Sequence, residues 1–110
     1  MDAGHWVPAG WPVANSVDMF EDQELVEDVL AGDDDAFAAL VERYERDVYN
    51  LAYRMLSNVG EAEDAAQEAF LRAYKHLSRY DLKRSFKTWL LSITSNHCID
   101  RLRKDRKSVV

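Results

Sequence analysis

Residues 33–55 read DDDAFAALVERYERDVYNLAYRM, and this stretch decides the fold. Its apolar positions Phe37, Leu40, Val41, Tyr44, Val48, Leu51, Ala52 and Met55 recur at i, i+3, i+4 and i+7, the period of a helix with one buried face. Asp33, Asp34 and Asp35 stand ahead of the run, where they offer an N-cap and negative charge that suits the positive end of a helix dipole. No part of the chain shows the strict alternation of a half-buried strand.

Working outward, the same period predicts a short first helix from about Asp18 to Ala31, with Leu25, Val26, Val29 and Leu30 inward and Gly32 as its stop. Asn58-Val59-Gly60 breaks the helix of residues 33–55, and Glu61, Glu63 and Asp64 crowd the first turn of a third that runs to about Arg79. Residues 80–85 form a short polar connection, and a fourth helix starts near Ser85 or Phe86 and continues to about Lys107. The expected fold is all-α, a compact three- to four-helix bundle with a projecting basic C-terminal helix. Residues 1–17 hold both prolines, Ala3, Gly4, Ala9 and Gly10 and two of the three tryptophans, and read as an irregular tail ahead of one helical domain over 18–110. Trp6 and Trp11 in that tail fit either incidental packing or a docking segment.

The net charge of −6 conceals a division. Residues 1–68 carry 3 basic and 17 acidic side chains, whereas residues 69–110 carry 11 basic and 3 acidic. A uniformly acidic chain would be repelled by nucleic acid, but this one can present a basic surface to phosphate. The single cysteine, Cys98, cannot form an internal disulfide, which fits a reducing compartment. No apolar run reaches the roughly 18 residues of a membrane span, and no signal-peptide pattern opens the chain, so the cytoplasm is the default location.

On the third helix Ala62, Ala66, Ala69, Phe70, Ala73 and Leu77 share the core side. Opposite them Leu71 stands among Asp64, Gln67, Glu68 and Lys75, with Tyr74 at the edge. Leu71 is either a lone exposed leucine or the apolar anchor of a partner site ringed by hydrogen-bonding groups. The fourth helix lines one core face with Phe86, Trp89, Leu90, Ile93 and His97, and a second ridge with Leu91, Cys98 and Leu102. The first of these faces runs on into Asp100, Arg101 and Lys104, which cannot be buried unpaired, so the last turns are expected to project. Cations at a helix C-terminus complement its dipole, but that effect fades within a turn and does not account for Lys83, Arg84 and Lys87. Basic residues interleaved with Tyr80, Phe86 and Trp89 fit the stacking-plus-cation chemistry of single-strand binding.

Enzymatic patterns are missing. His5, His76 and His97 are far apart and make no Glu-x-x-His pair, there is no glycine-rich phosphate loop, and Cys98 has no nucleophile signature around it. The acidic cluster Glu61, Glu63, Asp64 and Glu68 suits a helix start and a solvated face better than a metal. No catalytic residue, metal site or cofactor is expected.

Three blocks together resemble conserved region 2 of the bacterial extracytoplasmic-function (ECF) sigma factors, the small alternative members of the sigma-70 family. They are residues 37–44, FAALVERY, residues 62–74, AEDAAQEAFLRAY, and residues 86–96, FKTWLLSITSN, continuing into DRLRK at 100–104. The similarity runs from about Leu25 to Ser108. It implies a non-enzymatic protein of transcription initiation that binds core RNA polymerase through the clamp helices of its largest subunit and engages the promoter −10 element.

Carried over by motif, the resemblance implies that Asp64, Gln67, Glu68, Leu71 and Tyr74 form the polymerase-binding surface. It implies that Tyr80, Lys83, Arg84, Ser85, Phe86, Lys87, Trp89 and Asn96 lie near the unpaired non-template strand, and that Arg101, Arg103 and Lys104 lie nearer duplex phosphates. By its place at the edge of the core face, Trp89 also fits a purely structural role. An anti-sigma factor is a further implied partner. The second helical domain that recognises the −35 element in the family has no counterpart here, so the chain is expected to be an excised domain or a fragment. The alternative from another class is a regulatory helical interaction module whose basic end meets an acidic partner.

Overall fold

A computed structural model describes residues 12–109, with side chains over 21–104. It comprises α1 (Pro12–Leu30), α2 (Asp34–Leu56), α3 (Val59–Lys75) and α4 (Phe86–Val109), with a 3-10 turn, Leu77–Arg79, after α3. There is no strand among the described residues. The expected all-α bundle is the observed one.

Local chemistry accounts for each boundary. The side chain of Asp33 accepts from the Asp35 N–H at 3.0 Å and caps α2. Gly32, at φ 108°, supplies the left-handed turn that ends α1, as expected of it. Gly60, by contrast, is not the break between α2 and α3. That role falls to Ser57, held at φ 56° with its N–H bonded to the Tyr53 carbonyl, and to Asn58, whose side chain caps α3 by accepting from the Glu61 N–H at 2.8 Å. Gly60 lies inside the first turn of α3.

Two other boundaries differ from the expectation. The first helix starts at Pro12, not Asp18, so residues 12–17 are helical rather than irregular. Proline is well suited to a first helical turn, where its missing N–H has no partner to lose. Trp6 and Trp11 lie outside the described residues. The third helix stops at Lys75, because His76 (φ −107°, ψ 15°) leaves helical geometry and the chain tightens into the 3-10 turn.

The core has two parts. Val26 and Val29 of α1, Leu40, Tyr44 and Val48 of α2, Ala69, Phe70 and Ala73 of α3, and Leu77, Tyr80, Phe86 and Leu90 form the larger one. Ala52, Ala62, Ala65 and Cys98 form a second cluster of small side chains that lets three helices close together. Tyr44 meets Phe86 in the first, and Ala52 meets Cys98 in the second, so α2 and α4 run roughly parallel with α3 antiparallel to both. Two inward expectations fail: Leu30 and Leu102 are exposed. Leu102 sits on the last turns of α4, past the small-residue cluster.

Candidate functional site

The connection from Tyr80 to Ser85 is a fastened loop. The Tyr80 hydroxyl donates to the Arg84 carbonyl, the Asp81 carboxylate accepts from the Lys83 N–H at 2.9 Å, and the Asp81 carbonyl accepts from the Arg84 N–H at 2.9 Å. Ser85 ends the loop as a cap for α4, its Oγ accepting from the Thr88 N–H at 3.2 Å. These bonds leave Lys83 and Arg84 exposed at the rim. Beneath them Tyr80, Phe86 and Trp89 pack with ring centroids 5.1–5.7 Å apart.

Burial divides the aromatic residues expected at a strand. Phe86 is 1% exposed and Tyr80 6%, so both support the loop from below and present no free ring face in this conformation. Burial, with the nearby Asp22 and Asp81 carboxylates, pushes the Tyr80 hydroxyl up to about 12, which keeps it a neutral donor. Trp89, packed on both, is half-buried.

The α3 and α4 helices enclose an open cleft of about 380 Å³ lined by Glu68, Arg72, Lys75, His76, Ile93 and Asn96. Asn96 is exposed on its α4 wall, and Glu68 accepts from Arg72 Nε at 3.1 Å on the α3 wall. The cleft has an apolar patch at Ile93 and donors of both neutral and cationic type, a combination suited to a planar polar group with an anion attached. Behind it His97 buries both ring nitrogens with no hydrogen-bond partner among the described residues. Burial first, and then the Arg72 charge, lowers its pKa and keeps it neutral.

The cations are not equivalent. Lys87 pairs with Asp47 of α2 at 3.8 Å, and Arg101 with Glu61 of α3 at 3.6 Å. Lys83, Arg84 and Arg103 are exposed and have no ion-pair partner among the described residues. Lys104 is exposed on the same turns as Arg103. Arg106 and Lys107 have side chains outside the described set.

A second surface lies on the outward side of α3. Leu71 is 56% exposed and Tyr74 46%, with Asp64 and Gln67 exposed and Glu68 half-buried beside them. Tyr74 is held in place: its hydroxyl donates to Asp34 Oδ1 at 3.0 Å, and its ring meets Phe37 edge-on at 5.1 Å. The Asp34 hydrogen bond and charge raise the Tyr74 pKa. All five residues expected on this face are thus gathered on one side of one helix, and Glu68 also borders the cleft.

Sequence reasoning missed several contributors. Arg72, Lys75, His76 and Ile93 share the cleft only because α3 and α4 adjoin there. Asp22 is 1% exposed, accepting from the Tyr44 hydroxyl and, at 3.2 Å, from Arg43. It lies four residues before Val26 on the same helical face, a placement that marks a polar group directed at the core. Cys98 is buried and burial raises its pKa, which is the opposite of an activated thiol. No group of three or more metal-ligating side chains occurs among the described residues, and no helix there is long and apolar enough to cross a membrane.

Comparison with known proteins gives a consistent family. The Sigma-70 region 2 family model matches residues 40–108. The ECF RNA polymerase sigma factor SigW of Bacillus subtilis is 52% identical over 84 residues, covering 76% of this chain and 45% of its own length. The RNA polymerase sigma-H factor of Pseudomonas aeruginosa is 39% identical over 94 residues, covering 82% of this chain and 49% of its own. The chain therefore spans about half the length of these relatives. Among solved structures, an engineered region 2 of sigmaE in complex with GTAAAA has a TM-score of 0.74 at 40% identity, over 79% of this chain and 90% of that one. CnrH in complex with the cytosolic domain of CnrY has a TM-score of 0.68 at 28% identity, over 73% and 52%.

Proposed function

The chain belongs to the sigma-70 region 2 family, in its extracytoplasmic-function group, and from that premise we propose that it binds core RNA polymerase and engages the −10 element during transcription initiation. The observation that carries this reading is the adjacency of two different surfaces. A fastened basic loop and a polar cleft stand beside an apolar-centred, acid-rimmed helix face. The sigmaE region 2 neighbour, bound to GTAAAA, supports assigning the loop and cleft to single-stranded promoter DNA.

In this reading the outward face of α3 seats the clamp helices of the polymerase's largest subunit, with Leu71 and Tyr74 as anchors and Asp64, Gln67 and Glu68 as polar rim. Lys83 and Arg84 hold the phosphates of the non-template strand, while Asn96 and the cleft take a base out of its stack. Unstacking costs a few kcal/mol, which stacking and hydrogen bonds in a pocket offset, so the open state is stabilised without covalent chemistry. Arg103 and Lys104 meet duplex phosphates, and the paired Lys87 and Arg101 contribute less. The function is non-catalytic and cytoplasmic, where the polymerase is. CnrH, held by the cytosolic domain of CnrY, supports a regulatory protein partner as well, an anti-sigma factor.

Fluorescence anisotropy with single-stranded −10 oligonucleotides tests the DNA assignment. Binding should be salt-sensitive and weakened by Asn96→Ala and by Arg103→Ala. Equal binding by wild type and both variants at low salt overturns it. For the other face, Leu71→Asp should abolish capture of the clamp-helix fragment with helicity intact, and unchanged capture rejects that assignment.

A further inference from the structure

The loop before α4 is also fastened from outside, by α1. Gln23 donates from Nε2 to the carbonyl of Leu82, in the middle of the loop and 59 positions away in sequence. Its neighbour Asp22 is buried and receives the Tyr44 hydroxyl and the Arg43 guanidinium. Tyr44 packs on Phe86 at 6.0 Å, and Phe86 on Tyr80 at 5.6 Å, and Tyr80 closes the loop onto Arg84. One turn of α1 thus reaches the loop twice, directly at its midpoint and through a pile of three aromatic rings at its base. A loop ordered in advance avoids the conformational entropy that a free loop loses when a ligand fixes it.

We infer that α1 is a strut that pre-orders the strand-binding loop, with Gln23 as its positioning residue. The inference rests on the assignment of that loop to single-stranded DNA made above. Gln23 is not among the residues that line the cleft or form the outward face of α3, so the effect of the strut is confined to the loop and to what the loop holds.

The test is Gln23→Glu, nearly isosteric but with a carboxylate that cannot donate to a carbonyl, together with Gln23→Ala. Amide hydrogen exchange, affinity for a single-stranded −10 oligonucleotide and affinity for the clamp-helix fragment are measured on each. Exchange should accelerate over residues 81–85 alone, and oligonucleotide affinity should fall roughly three- to tenfold, the worth of about one hydrogen bond. Clamp-helix affinity should not change, which separates positioning from a general loss of fold. Unchanged loop exchange in both variants overturns the inference, as does a parallel loss of clamp-helix binding. Unchanged oligonucleotide affinity also overturns it when Asn96→Ala, on α4, does weaken binding. If Asn96→Ala has no effect either, the DNA assignment fails and the strut's role in strand binding falls with it.

Discussion

The two ends of the bundle are built from opposite materials. At one end Tyr44, Phe86, Tyr80 and Trp89 pack edge-on and tilted against one another, tied by the Asp22 carboxylate and by the Tyr80 hydroxyl bond to the Arg84 carbonyl. At the other, Ala52, Ala62, Ala65 and Cys98 leave no room for anything but close helix contact. Bulky rings with polar handles can shape a loop, since each ring fixes a surface, the Tyr80 hydroxyl holds the Arg84 carbonyl and the Tyr44 hydroxyl holds the Asp22 carboxylate. Small residues shape nothing, but they bring three helices into register. The exposed basic loop stands on the aromatic end, while the small-residue end brings the helices together beneath Asp64 and ahead of the last cations of α4.

The contrast can be broken most forcefully at Phe86. Phe86→Ala empties a fully buried site and should cost about 3–5 kcal/mol in chemical denaturation, with loss of order in the loop above it. The reciprocal change at the small end, Ala65→Leu, adds volume where Ala62 and Cys98 are also fully buried. It should cost about 1–3 kcal/mol by overpacking and leave the loop intact in hydrogen exchange.

A smaller effect is a pH dependence at His97, between the two ends. Its pKa in the fold is lowered from 6.5, so the unfolded chain takes up the proton first. The stability associated with the neutral ring is full above about pH 6.5 and is lost as the pH falls through that value towards the lowered folded one. Urea titrations at pH 7.5 and 5.5 should show the loss, and His97→Leu should flatten it. The finest test compares two lysines. Lys83→Ala should lower the salt slope of oligonucleotide binding by about 0.7, the value of one single-strand phosphate contact, and Lys87→Ala, whose ammonium already faces Asp47, by much less.

Much of this organisation is legible in the chain. The period of residues 33–55 gives α2, the alanine-rich side of 62–77 gives the core face of α3, and Leu71 stands out on the opposite side with its polar neighbours. What is not legible depends on which helices adjoin. Lys87–Asp47 and Arg101–Glu61 join residues 40 positions apart in sequence. They form only because α4 lies alongside α2 and α3, a fact no single-helix projection contains. Phe86 and Tyr80 read as aromatics among cations, and the same tertiary packing turns them inward. Asp22 is legible in principle, as a carboxylate on an apolar stripe.

Cys98 has a practical consequence. It is the sole cysteine of the chain, it is fully buried in the small-residue cluster, and its thiol is discouraged from ionising. A thiol-reactive dye can modify it only in molecules where α4 has lifted from α2 and α3. The labelling rate, measured against that of an unfolded control, therefore reports the opening equilibrium of that end of the bundle. The protein carries its own clock for how often its helices part, and a partner that clamps them together should slow it.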